Sequence, residues 1–337
     1  MQAWHLGKTG EIDDLAIREH AMPQPGPHEV LVRVRAASLN YRDIMVLHGR
    51  YPVPAPPGVI PLSDGAGEVA AVGPGVTRVA VGDRVAGTYF LRWFDGRLTW
   101  ALAMQQLGSS HDGMLAEYRV LSEESLVKVP EHLGFEEAAT LPCAALTAWS
   151  TLTGPRRVLA GETVLTMGTG GVALFALQFA KLFGARVIAL TSSLPKAQRL
   201  RELGADEVID YTAHPQWDAE VLRLTANRGA DHVVDSIGTA TLERSLRAAA
   251  FGGEIAFPGA FSAEGASFDP RVLAGRMVTI RRIAVDSRAS FEAMNRAIGQ
   301  HQLKPVLDRV FGFHEAREAY RYFDARKHIG KVVIRIA

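Results

Sequence analysis

A glycine-rich turn is the feature of this sequence best suited to chemistry. Residues 164–167 (VLTM) lead into residues 168–173 (GTGGVA), and a further apolar stretch follows. The spacing matches G-x-G-x-x-G/A, in which the first glycine permits a tight turn and the second lets the backbone approach a pyrophosphate. A helix that begins there directs free N–H groups at the phosphates. We therefore predict a dinucleotide site at Gly168, Thr169, Gly170, Gly171 and Val172. The alternative is a structural turn that binds no ligand.

The residues after the next predicted strand indicate which dinucleotide binds. An NAD site usually places Asp or Glu there, about 20 residues beyond the glycines, to hold the ribose hydroxyls. Here no acidic residue lies between Ala185 and Arg201, and the segment contains Ser192 and Lys196, with Arg199 nearby. A hydroxyl and an ammonium suit a 2′-phosphate, so we predict NADPH as the cofactor. The alternative is that Lys196 and Arg199 are solvated helix charges.

The elements that must position this turn alternate along the chain. Strand–helix alternation with short connections predicts a parallel sheet covered on both faces, and right-handed crossovers make it doubly wound. We assign this α/β Rossmann domain to residues 126–287. Its predicted strands are 163–167, 186–191, 207–210, 232–235 and 253–258, and its predicted helices are 171–183, 196–203, 217–225 and 241–250. A further helix is expected to begin at residue 135 and to continue beyond Pro142 to residue 152.

The flanking segments differ from this pattern. Residues 1–125 read as short, mostly antiparallel strands separated by Gly and Pro, and residues 29–35 alternate apolar and polar positions. Residues 288–337 contain a predicted helix (290–298), a connecting segment, a helix (314–323) and a closing strand (331–336). Because this tail is too small for its own core, we expect it to pack on residues 1–125 as one β-rich domain.

Composition restricts the functions available. Lys plus Arg (37) balance Asp plus Glu (36), so we expect neither a nucleic-acid nor a membrane partner. Cys143, the single cysteine, cannot form an internal disulfide, which fits a reducing compartment. The polar N-terminal residues are unlike a signal peptide. Glycines interrupt the uncharged stretch 163–180, so we do not expect a membrane helix there. The expected location is the cytoplasm.

Several motifs resemble the medium-chain dehydrogenase/reductase superfamily, nearer its zinc-free quinone oxidoreductase branch than its zinc alcohol dehydrogenases. The resemblance covers essentially the whole chain. It implies a GroES-like catalytic domain (1–125 and 288–337), a Rossmann domain, an active site in the cleft between them, and a homodimer or homotetramer. The motifs are ASLNYRD (37–43), PLSDGAGEV (61–69), VGDRV (81–85), GMLAEY (113–118), LPC (141–143), the glycine turn and LGAD (203–206).

The resemblance also bears on metal binding. Zinc members carry Cys, His and Cys at the positions of Asn40, Ser63 and Cys143, and Glu at the position of Asp64. Zinc needs about three protein ligands, usually nitrogen or sulfur donors. We therefore predict no metal, and hydrogen bonds must stabilise the developing oxyanion instead. Asn40 and Tyr41 are the predicted catalytic residues, with support of the fold as their alternative role.

Further cofactor contacts follow from the resemblance alone. It places Thr147 near the nicotinamide, Tyr211 near the 2′-phosphate or adenine, and Lys331 over the cofactor. Ile237 and Gly259 follow predicted strands, where open α/β sheets bind ligands.

Together these features predict an NADPH-dependent oxidoreductase that transfers hydride to a quinone or an activated carbonyl or alkene without zinc. Its expected partner is a small-molecule substrate. Two alternatives remain: an alcohol dehydrogenase of the same fold, and a nucleotide-binding protein with a structural or regulatory role.

Overall fold

The computed structural model describes residues 1–8, 10–258, 269 and 271–336. The strands are β1 (Gln2–His5), β2 (Ala16–Glu19), β3 (Glu29–Ser38), β4 (Asp64–Val72), β5 (Arg84–Gly87), β6 (Tyr118–Ser122), β7 (Leu126–Lys128), β8 (Thr163–Met167), β9 (Arg186–Thr191), β10 (Glu207–Asp210), β11 (Ala230–Val234), β12 (Ala249–Pro258), β13 (Thr279–Ile283), β14 (Leu307–Gly312) and β15 (Lys331–Arg335).

The α-helices are α1 (Tyr41–Leu47), α2 (Trp100–Ala103), α3 (Phe135–Ala138), α4 (Leu146–Thr153), α5 (Gly171–Leu182), α6 (Leu194–Glu202), α7 (Trp217–Leu224), α8 (Leu242–Ala248), α9 (Arg271–Ala274), α10 (Arg288–Gln300) and α11 (Ala316–Asp324). Among the described residues, no helix combines the length and the apolar character needed to cross a bilayer. The chain divides into two compact units, Met1–Leu146 with Asp286–Ala337, and Thr147–Val285.

The second unit is built on a six-stranded parallel sheet in the order β10-β9-β8-β11-β12-β13. All five residues of β8 are buried, as expected for a strand covered on both faces. The order confirms the predicted doubly wound fold. It reverses direction between β8 and β11, and ligands of such sheets bind beyond the carboxyl ends of the strands at that point.

The first unit contains a seven-stranded sheet in the order β14-β15-β3-β4-β5-β7, with β6 also pairing with β3. Apart from the parallel pair β14–β15, its ladders are antiparallel. In the antiparallel pair β15–β3, Val333 lies opposite Ser38 and Ile334 opposite Ala37. Continuing that register brings Lys331 beside Asn40, so the C-terminal strand completes the first unit.

The structure departs from the sequence-based assignment in several places. The first unit extends to Leu146 rather than ending at residue 125: β7 pairs with β5 in its sheet, and the Cys143 N–H donates to Asp64 in β4. The predicted connection after residue 298 contains the strand β14. This strand was not predicted because most of its residues are exposed. The helix expected to run through Pro142 is divided into α3, a π-helical turn (Leu141–Ala145) and α4.

Candidate functional site

The glycine turn lies at the carboxyl end of β8, as predicted. Gly168 has a φ of +86°, and its N–H donates to the Leu190 carbonyl at 2.9 Å. A φ of this sign suits glycine, because a Cβ there would crowd the backbone. Gly170, with φ −75°, immediately precedes α5. A Cβ added at Gly168 or Gly170 would have no described residue within 4 Å, so the described part of the second unit leaves this side of the turn open.

The loop after β11 lies beside this turn, because β11 pairs with β8. The buried Asp235 carboxylate accepts the backbone N–H groups of Ile237 and Gly238, both at 3.0 Å, and hydroxyl hydrogen bonds from Thr241 and Ser245. It thereby fixes the loop that presents the exposed Ile237. Sequence reasoning missed Asp235, although an acidic residue ending a buried strand (VVDSIG) was a usable signal.

The predicted 2′-phosphate residues lie at the same edge of the sheet. Ser192 is exposed directly after β9, and Lys196 lies in the first turn of α6. Its ammonium forms no ion pair with any described residue, whereas Arg199 is paired with Glu202 at 3.0 Å. The exposed Tyr211 follows β10, and its N–H donates to the Thr191 carbonyl at 2.9 Å.

Two other predicted cofactor residues are Thr147 and Gly259. Thr147 is buried in α4. Gly259 lies outside the described residues.

In the first unit, Asn40 and Lys331 form a buried pair. Asn40 is 7% exposed and Lys331 is 2% exposed. The Lys331 ammonium donates to Asn40 Oδ1 and to the Leu39 carbonyl, both at 2.6 Å. Asn40 Nδ2 completes no hydrogen bond with a described residue. The ammonium is therefore hydrogen-bonded within the first unit, and a contact of Lys331 with the cofactor stays a prediction.

Two buried carboxyl groups surround this pair. Asp64 accepts hydrogen bonds from Ser63 Oγ at 2.7 Å and from the Cys143 N–H at 3.2 Å. Burial raises its pKa, while the Lys331 ammonium and the Asn40 amide oppose that rise. Burial also raises the pKa of Asp43 to about 6, against the opposing charge of Arg42. Burial lowers the pKa of the Lys331 ammonium, and Asp64 is the largest opposing influence.

The second predicted catalytic residue has a different environment. Tyr41 is 40% exposed. Its hydroxyl accepts a hydrogen bond from Arg326 at 3.0 Å, and the Arg326 guanidinium lies 4.9 Å from the ring centroid. The structure therefore places Tyr41 at the surface of the first unit and Asn40 in its interior.

The residues at the zinc-ligand positions do not fit a zinc ion. Asn40 Oδ1 is bound to an ammonium, which would repel a divalent cation, and the Ser63 hydroxyl is bound to Asp64. Burial raises the pKa of the Cys143 thiol, and Asp64 raises it further, so the thiol remains protonated at neutral pH. Among the described residues, no three His, Cys, Asp or Glu side chains are grouped as metal ligands.

Comparison with known proteins defines the class to which this fold and these residues belong. The family model described as "Alcohol dehydrogenase GroES-like domain" matches residues 26–131, and the model described as "Zinc-binding dehydrogenase" matches residues 171–300. A zinc-type alcohol dehydrogenase-like protein of Schizosaccharomyces pombe is 41% identical over 96% of each chain. A quinone oxidoreductase of Pseudomonas aeruginosa is 40% identical over 69% of this chain and 65% of its own.

A solved structure described as an NAD-dependent alcohol dehydrogenase is 38% identical over all of both chains, with a TM-score of 0.91. The chain belongs to the medium-chain dehydrogenase/reductase superfamily. It is an NAD(P)H-dependent oxidoreductase with a GroES-like domain and a Rossmann domain.

Proposed function

We propose that this oxidoreductase uses NADPH to reduce a quinone or an activated carbonyl or alkene, and that it does so without zinc. The observation that carries the proposal is the Lys196 ammonium, which forms no ion pair with a described residue and follows Ser192 at the end of the strand where an NAD site holds its acidic residue. An ammonium and a hydroxyl favour a 2′-phosphate, which an Asp would repel.

Each unit contributes one part of the chemistry. When bound, NADPH supplies the hydride. In the second unit, the N–H groups of the glycine turn hold the pyrophosphate, while Lys196 and Ser192 bind the 2′-phosphate. In the first unit, the Asn40 amide donates to the substrate oxygen as negative charge develops on it. A proton from solvent then completes the reduction.

The proposed partners are a small-molecule substrate and further copies of the chain, as a homodimer or homotetramer. The outermost position of β13 in its sheet supports self-association, because an edge strand has unpaired backbone groups. Ile280 on this strand is exposed. The balanced charge supports neither a nucleic-acid nor a membrane partner.

A second candidate is an alcohol dehydrogenase that uses NAD. It is favoured by the similar solved structure described as an NAD-dependent alcohol dehydrogenase. Initial rates with NADPH and NADH against a panel of quinones, enones and aldehydes separate the candidates. Oxidation of alcohols with NAD⁺ as the faster reaction would favour this second candidate and contradict the first.

Lys196→Ala tests the nucleotide preference. We expect the KM for NADPH to rise roughly 10- to 100-fold, because a charge-assisted hydrogen bond contributes about 1.5–3 kcal/mol. The KM for NADH should stay within about threefold, since NADH has no 2′-phosphate. Arg201→Ala is the matched control, because it removes an exposed positive charge from the same helix farther from its first turn. Equal effects of Lys196→Ala on both nucleotides would refute the assignment.

A further inference from the structure

The first unit contains a buried cation at the place where related enzymes bind a metal. The Lys331 ammonium donates to Asn40 Oδ1, and Asn40 occupies a zinc-ligand position. Asp64 and Asp43 are the buried carboxyl groups that interact with this ammonium. Burying an unpaired ammonium is costly, so these carboxyl groups help to retain it.

The ammonium determines which way the Asn40 amide faces. An ammonium has three donors and no acceptor, so it can bind only the amide oxygen. The amide NH₂ group must therefore face away from Lys331. Its nitrogen lies near enough to Asp64 to lower the pKa of that carboxyl, yet it completes no hydrogen bond with a described residue. An amide NH₂ group has two donors, so it can face Asp64 and still donate to an acceptor that a ligand supplies.

We propose that Lys331 is a positioning residue that takes over the electrostatic role of the absent metal. Its ammonium holds Asn40 Oδ1 and polarises the amide, so that Asn40 Nδ2 donates to the substrate oxygen as charge develops there. A zinc ion would contact the substrate oxygen directly, whereas Lys331 acts on it through the Asn40 amide. The inference rests on the proposed function.

The backbone of Asn40 is held independently of Lys331. Asn40 N–H donates to Asp43 Oδ2 at 2.8 Å, and the Asp43 N–H donates to the Asn40 carbonyl at 2.9 Å. These bonds fix the start of α1 without using the Asn40 side chain. Loss of the ammonium should therefore release the amide while leaving the local backbone in place.

Lys331→Met tests the role of the ammonium. We expect kcat to fall about 100-fold, the effect of misplacing a reacting group by ~1 Å. The Kd for NADPH, measured by fluorescence titration, should stay within twofold because the dinucleotide residues lie on other elements. A higher Kd with unchanged kcat would overturn the inference in favour of cofactor contact. Unchanged values of both would also overturn it. Lys327→Met, at an exposed lysine, is the matched control.

Two further variants separate the positioning role from stability. Lys331→Met leaves Asp64 without its cation, so Lys331→Met/Asp64→Asn should unfold at a higher temperature than the single variant and yet keep the low kcat. Recovery of kcat in the double variant would contradict the inference. Asn40→Asp retains an acceptor for Lys331 but removes the donor, and we expect kcat to fall by about 10²–10³ with normal NADPH binding.

A wild-type protein without turnover on the whole panel would refute the proposed function instead. The hydrogen bond from Lys331 to the Asn40 amide is then tested by NMR, using the Asn40 side-chain resonances in ¹⁵N-labelled protein. Lys331→Met should shift them and Lys327→Met should not. An unchanged resonance in Lys331→Met would overturn the inference by itself.

Discussion

At the residue scale, Asn40 was identified from the sequence as a candidate catalytic residue, but its hydrogen-bond partner was not predicted. The helix α1 begins at Tyr41, directly after Asn40, and was not among the predicted elements. The Asn40 side chain accepts a hydrogen bond from Lys331, which lies 291 residues farther along the chain. That contact depends on the pairing of β15 with β3, and local spacing carries no information about it.

The two glycines of the turn should respond differently to alanine. Gly168 has φ +86°, so Gly168→Ala should destabilise the protein by about 1–2 kcal/mol through backbone strain. Gly170 has φ −75° and no described residue within 4 Å of an added Cβ, so Gly170→Ala should change stability by no more than about 0.5 kcal/mol. Its Cβ should still weaken dinucleotide binding. Urea unfolding and nucleotide titration measure both effects, and equal stability losses would contradict the assignment.

At the element scale, apolar runs with clear ends were predicted well. The predicted bounds of β8, β9 and β10 match the structure, and polar or small residues border the buried runs of β8 and β9. β14 was missed because Asp308, Arg309 and Val310 are exposed and show no alternation. Its pairing with β15 forms it, and such tertiary pairing overrides local preference.

One carboxylate joins the short 3₁₀ turn Glu123–Ser125 to the segment that contains Thr77 and Arg78. Glu123 accepts the N–H groups of Thr77 at 2.7 Å and Arg78 at 2.9 Å and contacts His28 Nδ1 at 3.0 Å. The two backbone hydrogen bonds lower the pKa of Glu123 to about 2. Because this value lies below that of the unfolded chain, the stabilisation is present above about pH 4.5 and is lost as the pH falls towards 2.

Glu123→Gln should therefore lower the free energy of unfolding by about 1–3 kcal/mol at pH 7, since the charged acceptor is lost. The difference from wild type should shrink between pH 5 and pH 3. Denaturant unfolding at several pH values measures it, with Glu131→Gln at an exposed position as control. A difference that stays constant with pH would argue against the charged carboxylate as its source.

At the scale of the whole molecule, the sequence predicted the pairing of a doubly wound unit with a β-rich unit. It also predicted that the C-terminal segment joins the first unit, since that segment cannot form a core alone. The cation among the first unit's buried carboxyls was not predicted. Contacts between distant segments depend on sheet register, which a single sequence specifies only through the completed fold.

Metal analysis tests the whole protein. Because an ammonium and a protonated thiol occupy the interior of the first unit, we expect well below one zinc per chain and full activity after chelator dialysis. Elemental analysis and initial rates before and after dialysis provide the measurement. A zinc-dependent alcohol dehydrogenase treated in parallel is the control. One zinc per chain, with activity lost on its removal, would refute zinc-free chemistry.

The division of the first unit between two segments also sets an order for its synthesis. The ribosome completes residues 147–285 before it makes β14, β15, α10 or α11. The nascent chain can therefore assemble its parallel sheet before Lys331, the cation that interacts with Asn40 and Asp64, has been synthesised. A premature stop just before residue 331 would leave the nucleotide-binding half complete in sequence but remove the charge that balances the buried acids of the other half.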